Sequence, residues 1–123
     1  MIIHFLVTIA LALPLSGAVF LVLPSTAQAA CADPAGPSVA WERCALNERV
    51  LSGESLANAK LKGASLANAI LSGADLTGAD LNCMKFADAN LSGAALDGAD
   101  LTGAILTRTD LSNASLRNVK LHP

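Results

Sequence analysis

The chain has 123 residues, enough for one domain, and carries a formal net charge of -2 from ten acidic and eight basic residues. That balance argues against electrostatic capture of nucleic acid, and equally against a strongly acidic imitation of a duplex. Only 3% of the residues are aromatic although 53% are hydrophobic, so the apolar content is Ala and Leu and a core of ordinary globular bulk is not expected.

Charge of either sign begins only at Asp33, because residues 1–30 contain no Asp, Glu, Lys or Arg. Met1 to Leu23 is almost wholly apolar and is followed by Pro24, Ser25, Thr26 and the small-x-small run Ala27–Gln28–Ala29. Residues 1–29 are therefore predicted to be a signal peptide cleaved after Ala29. Two alternatives stand beside that reading. The run approaches membrane-spanning length and has no Lys or Arg ahead of it, which fits an uncleaved anchor; a buried soluble helix is the other. Cys31 follows two alanines, as a lipidated cysteine does, but Gln28 stands where an aliphatic residue is expected.

Residues 30–43 contain Pro34, Gly36 and Pro37 close together, which favours turns over helix. This segment is expected to cap the domain that begins at Cys44. Cys31 and Cys44 are thirteen residues apart, and in an oxidising compartment they read as a disulfide closing the loop; two free thiols are the alternative. Trp41, the single Trp, reads either as an apolar plug over an open end or as a platform on which a ligand stacks.

From Ala59 to Asn118 the chain reads in fives. The middle residue is Leu in eleven of the twelve units, with Phe86 the exception, and the first is Ala in ten, with Met84 and Thr109 the exceptions. Leu46, Leu51 and Leu56 keep the beat before this stretch and Leu121 keeps it after, so the repeat domain is expected over 44–123, most regular over 59–118. The units that begin at Cys44, Arg49 and Glu54 keep the Leu and lose the small partner, and are expected to be irregular or only partly included.

A period of five fits neither an α-helix nor a strand: on a helix the Leu positions would rotate by about 140° per unit and form no face. Gly at 53, 63, 73, 78, 93, 98 and 103 is a further argument against a long helix. A chain that turns at every unit, a solenoid, instead sends each middle residue inward. The predicted core is then Leu56, Leu61, Leu66, Leu71, Leu76, Leu81, Met84, Phe86, Leu91, Leu96, Leu101, Leu106, Leu111 and Leu116.

The units Ala74–Asp75–Leu76, Ala79–Asp80–Leu81, Ala89–Asn90–Leu91 and Ala99–Asp100–Leu101 carry the signature A-[ND]-L-x-x, which resembles the pentapeptide-repeat family. The resemblance implies an all-β solenoid, a right-handed quadrilateral β-helix with four repeats per coil and about three to four coils here. It also implies inward columns. Leu66, Phe86 and Leu106 would form one, Leu71, Leu91 and Leu111 a second. Leu56, Leu76, Leu96 and Leu116 would form a third, and Leu61, Leu81, Leu101 and Leu121 a fourth. Met84 and Phe86 place two large groups in one unit, which reads as a binding notch or as a packing irregularity absorbed beside Ala64 and Ala104.

No catalytic, cofactor-binding or metal-ligating set is visible. The histidines are His4 and His122, and no nucleophile–His–Asp arrangement or phosphate loop can be assembled. Asp80 and Asp100 fall one coil apart in the implied register with Lys60 and Lys120 beyond them, and read as a cation site or as an ordinary solvated face. Cys83 reads as a link between molecules or as a small residue in a turn. Ser72, Thr77, Ser92, Thr102, Thr107 and Ser112 read as hydrogen-bonders in turns.

These features point to a non-enzymatic exported scaffold, structural or protein-binding, in a secreted, periplasmic or lumenal location, with no cofactor and a partner the sequence does not name. End-to-end self-association follows from the absence of an evident cap after Leu121. A membrane-tethered structural protein is the alternative, if residues 1–29 remain. The family's topoisomerase-binding nucleic-acid mimics are a further alternative, opposed here by the near-neutral charge and the apolar leader.

Overall fold

The computed structural model describes residues 29–122. The apolar run, the Ala27–Gln28 part of the expected cleavage site and Pro123 lie outside the described residues.

The fold is built from one turn, repeated. Every fifth residue from Ser38 to Asn118 has a positive φ, between 54° and 72°. Two residues before each of these corners up to Asn113, the carbonyl of the unit's middle residue accepts from the N–H three positions on: Leu61 from Ala64 at 2.9 Å, Leu71 from Ala74 at 3.0 Å, Leu81 from Met84 at 3.2 Å. A hydrogen-bonded turn whose third residue alone is left-handed follows the type II pattern, which selects Gly or Asn at that place. This is why Gly and Asn close most units. At Gly78 size matters as well, since a Cβ there would lie 2.5 Å from Asn58 Oδ1 on the coil below.

Thirteen parallel bridges join residues twenty apart, in four series. One runs Ala40–Lys60–Asp80–Asp100–Lys120 and the next Ala45–Ser65–Lys85–Ile105; the others are Val50–Ile70–Asn90–Asp110 and Ser55–Asp75–Ala95–Ser115. Consecutive units belong to different series, so the chain turns a corner at each unit and returns to its starting side after twenty residues. The result is a β-helical solenoid. Within it Asp80 N–H donates to Ala59 O at 2.9 Å, while Leu81 and Cys83 donate in the other direction to Asp100 O and Thr102 O, each at 2.9 Å. Stacking thus pairs the backbone groups that an isolated coil would leave bare.

The middle residues form the core: Leu56, Leu61, Leu66, Leu71, Leu76, Leu81, Phe86, Leu91 and Leu96 are completely buried. The alanines at 59, 64, 69, 74, 79, 89, 94 and 99 are buried beside them. Met84 and Phe86 are also completely buried, so the unit they share is part of the packed interior and offers no open notch. No polar or charged side chain among the described residues is buried.

The ladder begins at Ala40, four residues before the boundary expected at Cys44. Trp41 takes the middle position of a unit spanning 39–43, its N–H donating to Lys60 O at 2.8 Å. The units at 44–58, expected to be irregular, are regular: Ala45, Val50 and Ser55 all pair with the next coil. Their large first-position residues are accommodated because no described coil lies beneath this part of the stack. Arg49 and Glu54 are exposed there, and the Arg49 guanidinium lies 5.6 Å from the centre of the Trp41 ring.

The opposite end corrects the predicted core. Leu106 and Leu111 are only partly buried and Leu116 is 44% exposed. Their side chains point as the others do, but no described coil covers them. Leu101, Leu106, Leu111, Leu116, Val119 and Leu121 line an apolar hollow of about 200 Å³.

At the first end, Cys31 and Cys44 form a disulfide with Cα atoms 5.5 Å apart, within the usual range. Closing a loop of this size contributes roughly 3 kcal/mol in the chain-entropy account. Trp41 is completely buried beneath this segment, and its indole Nε1 donates to Asp33 O at 3.2 Å. An indole so enclosed serves as a plug and has no open face for a ligand.

Candidate functional site

With a filled interior, the candidate surface is the set of outward sides. The second residue of the unit does specific work there. The N–H of Thr77 donates to Asp75 Oδ1 at 3.0 Å, that of Asn82 to Asp80 at 3.1 Å, and that of Ser92 to Asn90 at 2.9 Å. Thr102 N–H donates to Asp100 at 3.0 Å and Ser112 N–H to Asp110 at 2.9 Å. These are Asx turns, and they give the [ND] of the signature its physical reason. Sequence reasoning assigns turn bonding to Ser and Thr; the Asp and Asn acceptors two residues earlier are the stronger signal.

The fourth residue ties coils together when it is Asn or Asp. Asn47 Oδ1 accepts from Ser65 Oγ at 2.5 Å and from Ala67 N–H at 3.0 Å. Elsewhere in the stack, Asp97 Oδ1 accepts from Ser115 Oγ at 2.6 Å and Arg117 N–H at 2.9 Å. At a corner, Arg108 grips Asp88 through Nε and Nη2 at 2.6 and 2.8 Å, both side chains being substantially exposed.

Asp80 and Asp100 do lie on adjacent coils of one side, between Lys60 and Lys120. Asp100 is already engaged: it accepts from Thr102 Oγ1 at 2.5 Å and from Asn82 Nδ2 at 3.0 Å. Among the described residues no group of three or more His, Cys, Asp or Glu is placed to hold a metal ion. Cys83 is an exposed thiol at a left-handed corner. A shallow hollow of about 280 Å³ lined by Glu42, Arg43 and Lys62 brings together charges of both signs.

These bonds hold several carboxyls below their ordinary value of 3.8. For Asp100 the main cause is the Thr102 hydroxyl, then its N–H; for Asp110 the Ser112 hydroxyl and N–H; for Asp97 the Ser115 hydroxyl, then Arg117 N–H. Asp75 is lowered by Thr77 and Asp88 by Arg108. A carboxyl whose pKa is depressed by folding binds its proton first in the unfolded chain, so folding stability rises with pH across that window. The contribution is present above the ordinary carboxylate value and is lost as pH falls through the lower folded values. Thermal melts stepped downward from pH 5 are expected to show Tm falling as pH drops below about 4, less steeply in a variant carrying Asp97→Asn and Asp100→Asn. Identical slopes would show that these bonds do not favour the ionised form.

Residues 51–84 and 85–122 match the family model described as pentapeptide repeats (8 copies). The chain belongs to the pentapeptide-repeat family. Among solved structures it is similar to a pentapeptide-repeat protein from the Arabidopsis thaliana thylakoid lumen. The TM-score is 0.65 and the identity 32%, over 67% of this chain and 57% of that one. A pentapeptide-repeat protein of the cyanobacterium Cyanothece 51142 is 32% identical over 72% of this chain and 67% of that one, with a TM-score of 0.39. HetL, a pentapeptide-repeat protein of Nostoc sp. strain PCC 7120 involved in heterocyst differentiation regulation, is 32% identical over 68% of this chain and 47% of its own, with a TM-score of 0.39. The chain thus spans a little over half the length of the Arabidopsis protein. No curated protein matches it.

Proposed function

We propose that this pentapeptide-repeat protein is exported, loses residues 1–29, and acts outside the cytoplasm as a non-catalytic scaffold. In this reading it is a right-handed, four-sided β-helix of about four coils whose sides present a fixed array to a protein partner. Bridges spaced by twenty residues from Ala40 to Lys120 support the four-sided form and the coil count.

One observation carries the scaffold reading. On the outward sides Asp75 and Asp100 are engaged in Asx turns and Asp97 in a tie between coils, so the structure uses these carboxylates to hold its surface in place. The small-x-small run before Cys31 supports export, as does the disulfide, which belongs to an oxidising compartment. The likeness to a thylakoid-lumen protein points the same way.

The test is the amino-terminal residue and location of the native protein. A chain beginning at Ala30 in an extracytoplasmic soluble fraction is the expected result. A membrane fraction holding the chain with residues 1–29 intact would replace this reading with a tethered structural protein, which the length of the almost wholly apolar run favours.

A further inference from the structure

We propose that the Cys31–Cys44 disulfide is a redox latch: its reduction releases residues 29–37 from Trp41 while the coils stay folded. The bond joins two parts of the chain that are held in different ways. On the coil side, Cys44 N–H donates to Trp41 O at 3.1 Å and Cys44 O accepts from Ser65 N–H at 2.9 Å. Trp41 N–H is paired to Lys60 O, and the bridges from Ala40 onward run independently of either sulfur. Cys44 therefore keeps its place in the first coil whether or not its sulfur is bonded.

The cap is organised locally. Ala32 N–H donates to Ala29 O and Asp33 N–H to Ala30 O, both at 3.1 Å, closing turns within the segment itself. Asp33 reaches the coil through its carbonyl, which accepts the Trp41 indole N–H at 3.2 Å. Chain pairing with the next coil is established by Ser38, whose N–H donates to Ala57 O at 2.8 Å. Pro34, Gly36 and Pro37 take no place in the ladder. Opening of 29–37 therefore disturbs the indole contact, the packing of Cys31 and Ala35 against the core and the bond from Val39 N–H to Gly36 O, and leaves the bridges from Ala40 onward intact, a local event of the kind that low-stability segments undergo.

The two sulfurs differ in access. Cys44 is 2% exposed, whereas Cys31 is only partly buried. An external dithiol would attack Cys31 Sγ as its thiolate, forming a mixed disulfide and expelling Cys44 as a thiolate that takes up a proton. The reagent's second thiol then closes on the mixed disulfide and frees Cys31 as a thiol. The protein gains two electrons and two protons, and the dithiol becomes a cyclic disulfide. What the opened latch uncovers is the indole of Trp41, which is completely enclosed while the bond is intact.

Trp41, the single Trp of the chain, reports on the latch directly. The full-length chain carrying Cys83→Ser, which removes the exposed third thiol, is compared before and after treatment with dithiothreitol, together with the unreduced double variant Cys31→Ser/Cys83→Ser. Expected are a red shift of the Trp41 emission and elastase cleavage within 29–37 accelerated on the order of a hundredfold. The far-UV spectrum of the coils should be unchanged, and reoxidation should restore the emission. Two titrated thiols with the oxidised emission and cleavage rate would overturn the latch. So would loss of the coil spectrum on reduction or in the double variant, because the bond would then hold the whole stack.

Discussion

Replacing Leu81 by Ala is expected to lower the free energy of unfolding by about 2–5 kcal/mol, whereas Leu116→Ala lowers it by less than about 1 kcal/mol. The two residues occupy the same position in their units. Leu81 is completely buried, in the implied column between Leu61 and Leu101, which are 0% and 3% exposed. Its backbone is fixed by the bond to Asp100 O on one side and the turn closed by Met84 on the other. The coils above and below are held at the spacing of paired strands, about 4.7–4.9 Å, so they cannot collapse into the space left behind. Leu116 is 44% exposed and has little apolar contact to lose. In a stack where each coil leans on its neighbours, damage in the middle also weakens two interfaces at once. Urea unfolding followed by far-UV circular dichroism measures the difference. Equal losses at the two positions would mean that the middle residues do not share a common interior.

The second large effect concerns the alanines. Ala79→Leu is expected to cost about 1–3 kcal/mol or more, although it adds apolar surface. Ala59, Ala79 and Ala99 recur on one side of the solenoid and are 0%, 1% and 0% exposed. The added atoms at 79 would have to enter space already filled by the alanines of the neighbouring coils and by Leu81. Such overpacking forces poor rotamers or parts the backbone pairing. At the matching place in another unit, Glu54 is exposed at the first end of the stack, and Glu54→Leu is expected to stay within about 0.5 kcal/mol. Denaturation midpoints for the two variants test the contrast. A stabilised Ala79→Leu protein would show that the first position has unfilled room.

The local rule of this fold was open to reading in the chain itself. Leu at the middle, a small residue two places before it, and Gly or Asn two places after it demand a turn every five residues. Each demand acts within a few bonds: the left-handed corner favours Gly or Asn, and the inward side favours an apolar group. The register of the central units and the apolar interior follow from these local preferences. Even the Asx turns were accessible, since Asp or Asn stands two residues before the N–H that it accepts. The disulfide was a plausible pairing by spacing, but its formation depends on where the cap folds back, which no local signal expresses.

What only the tertiary structure decided is everything that depends on the next coil. Trp41 does not resemble the leucines of the repeat, yet its pairing with Lys60 O makes it the middle residue of the first unit. Arg49 and Glu54 break the pattern of small first residues, and tertiary position makes them harmless because no described coil lies beneath them. Leu81 and Leu116 are the same residue in the same register, one enclosed and the other 44% exposed. Sequence period determines where a chain bends and which side chains turn inward, because those choices are local. Burial and pairing are set by contacts between residues twenty apart, so the places where the stack begins and where its interior is left uncovered emerge only when the coils are assembled.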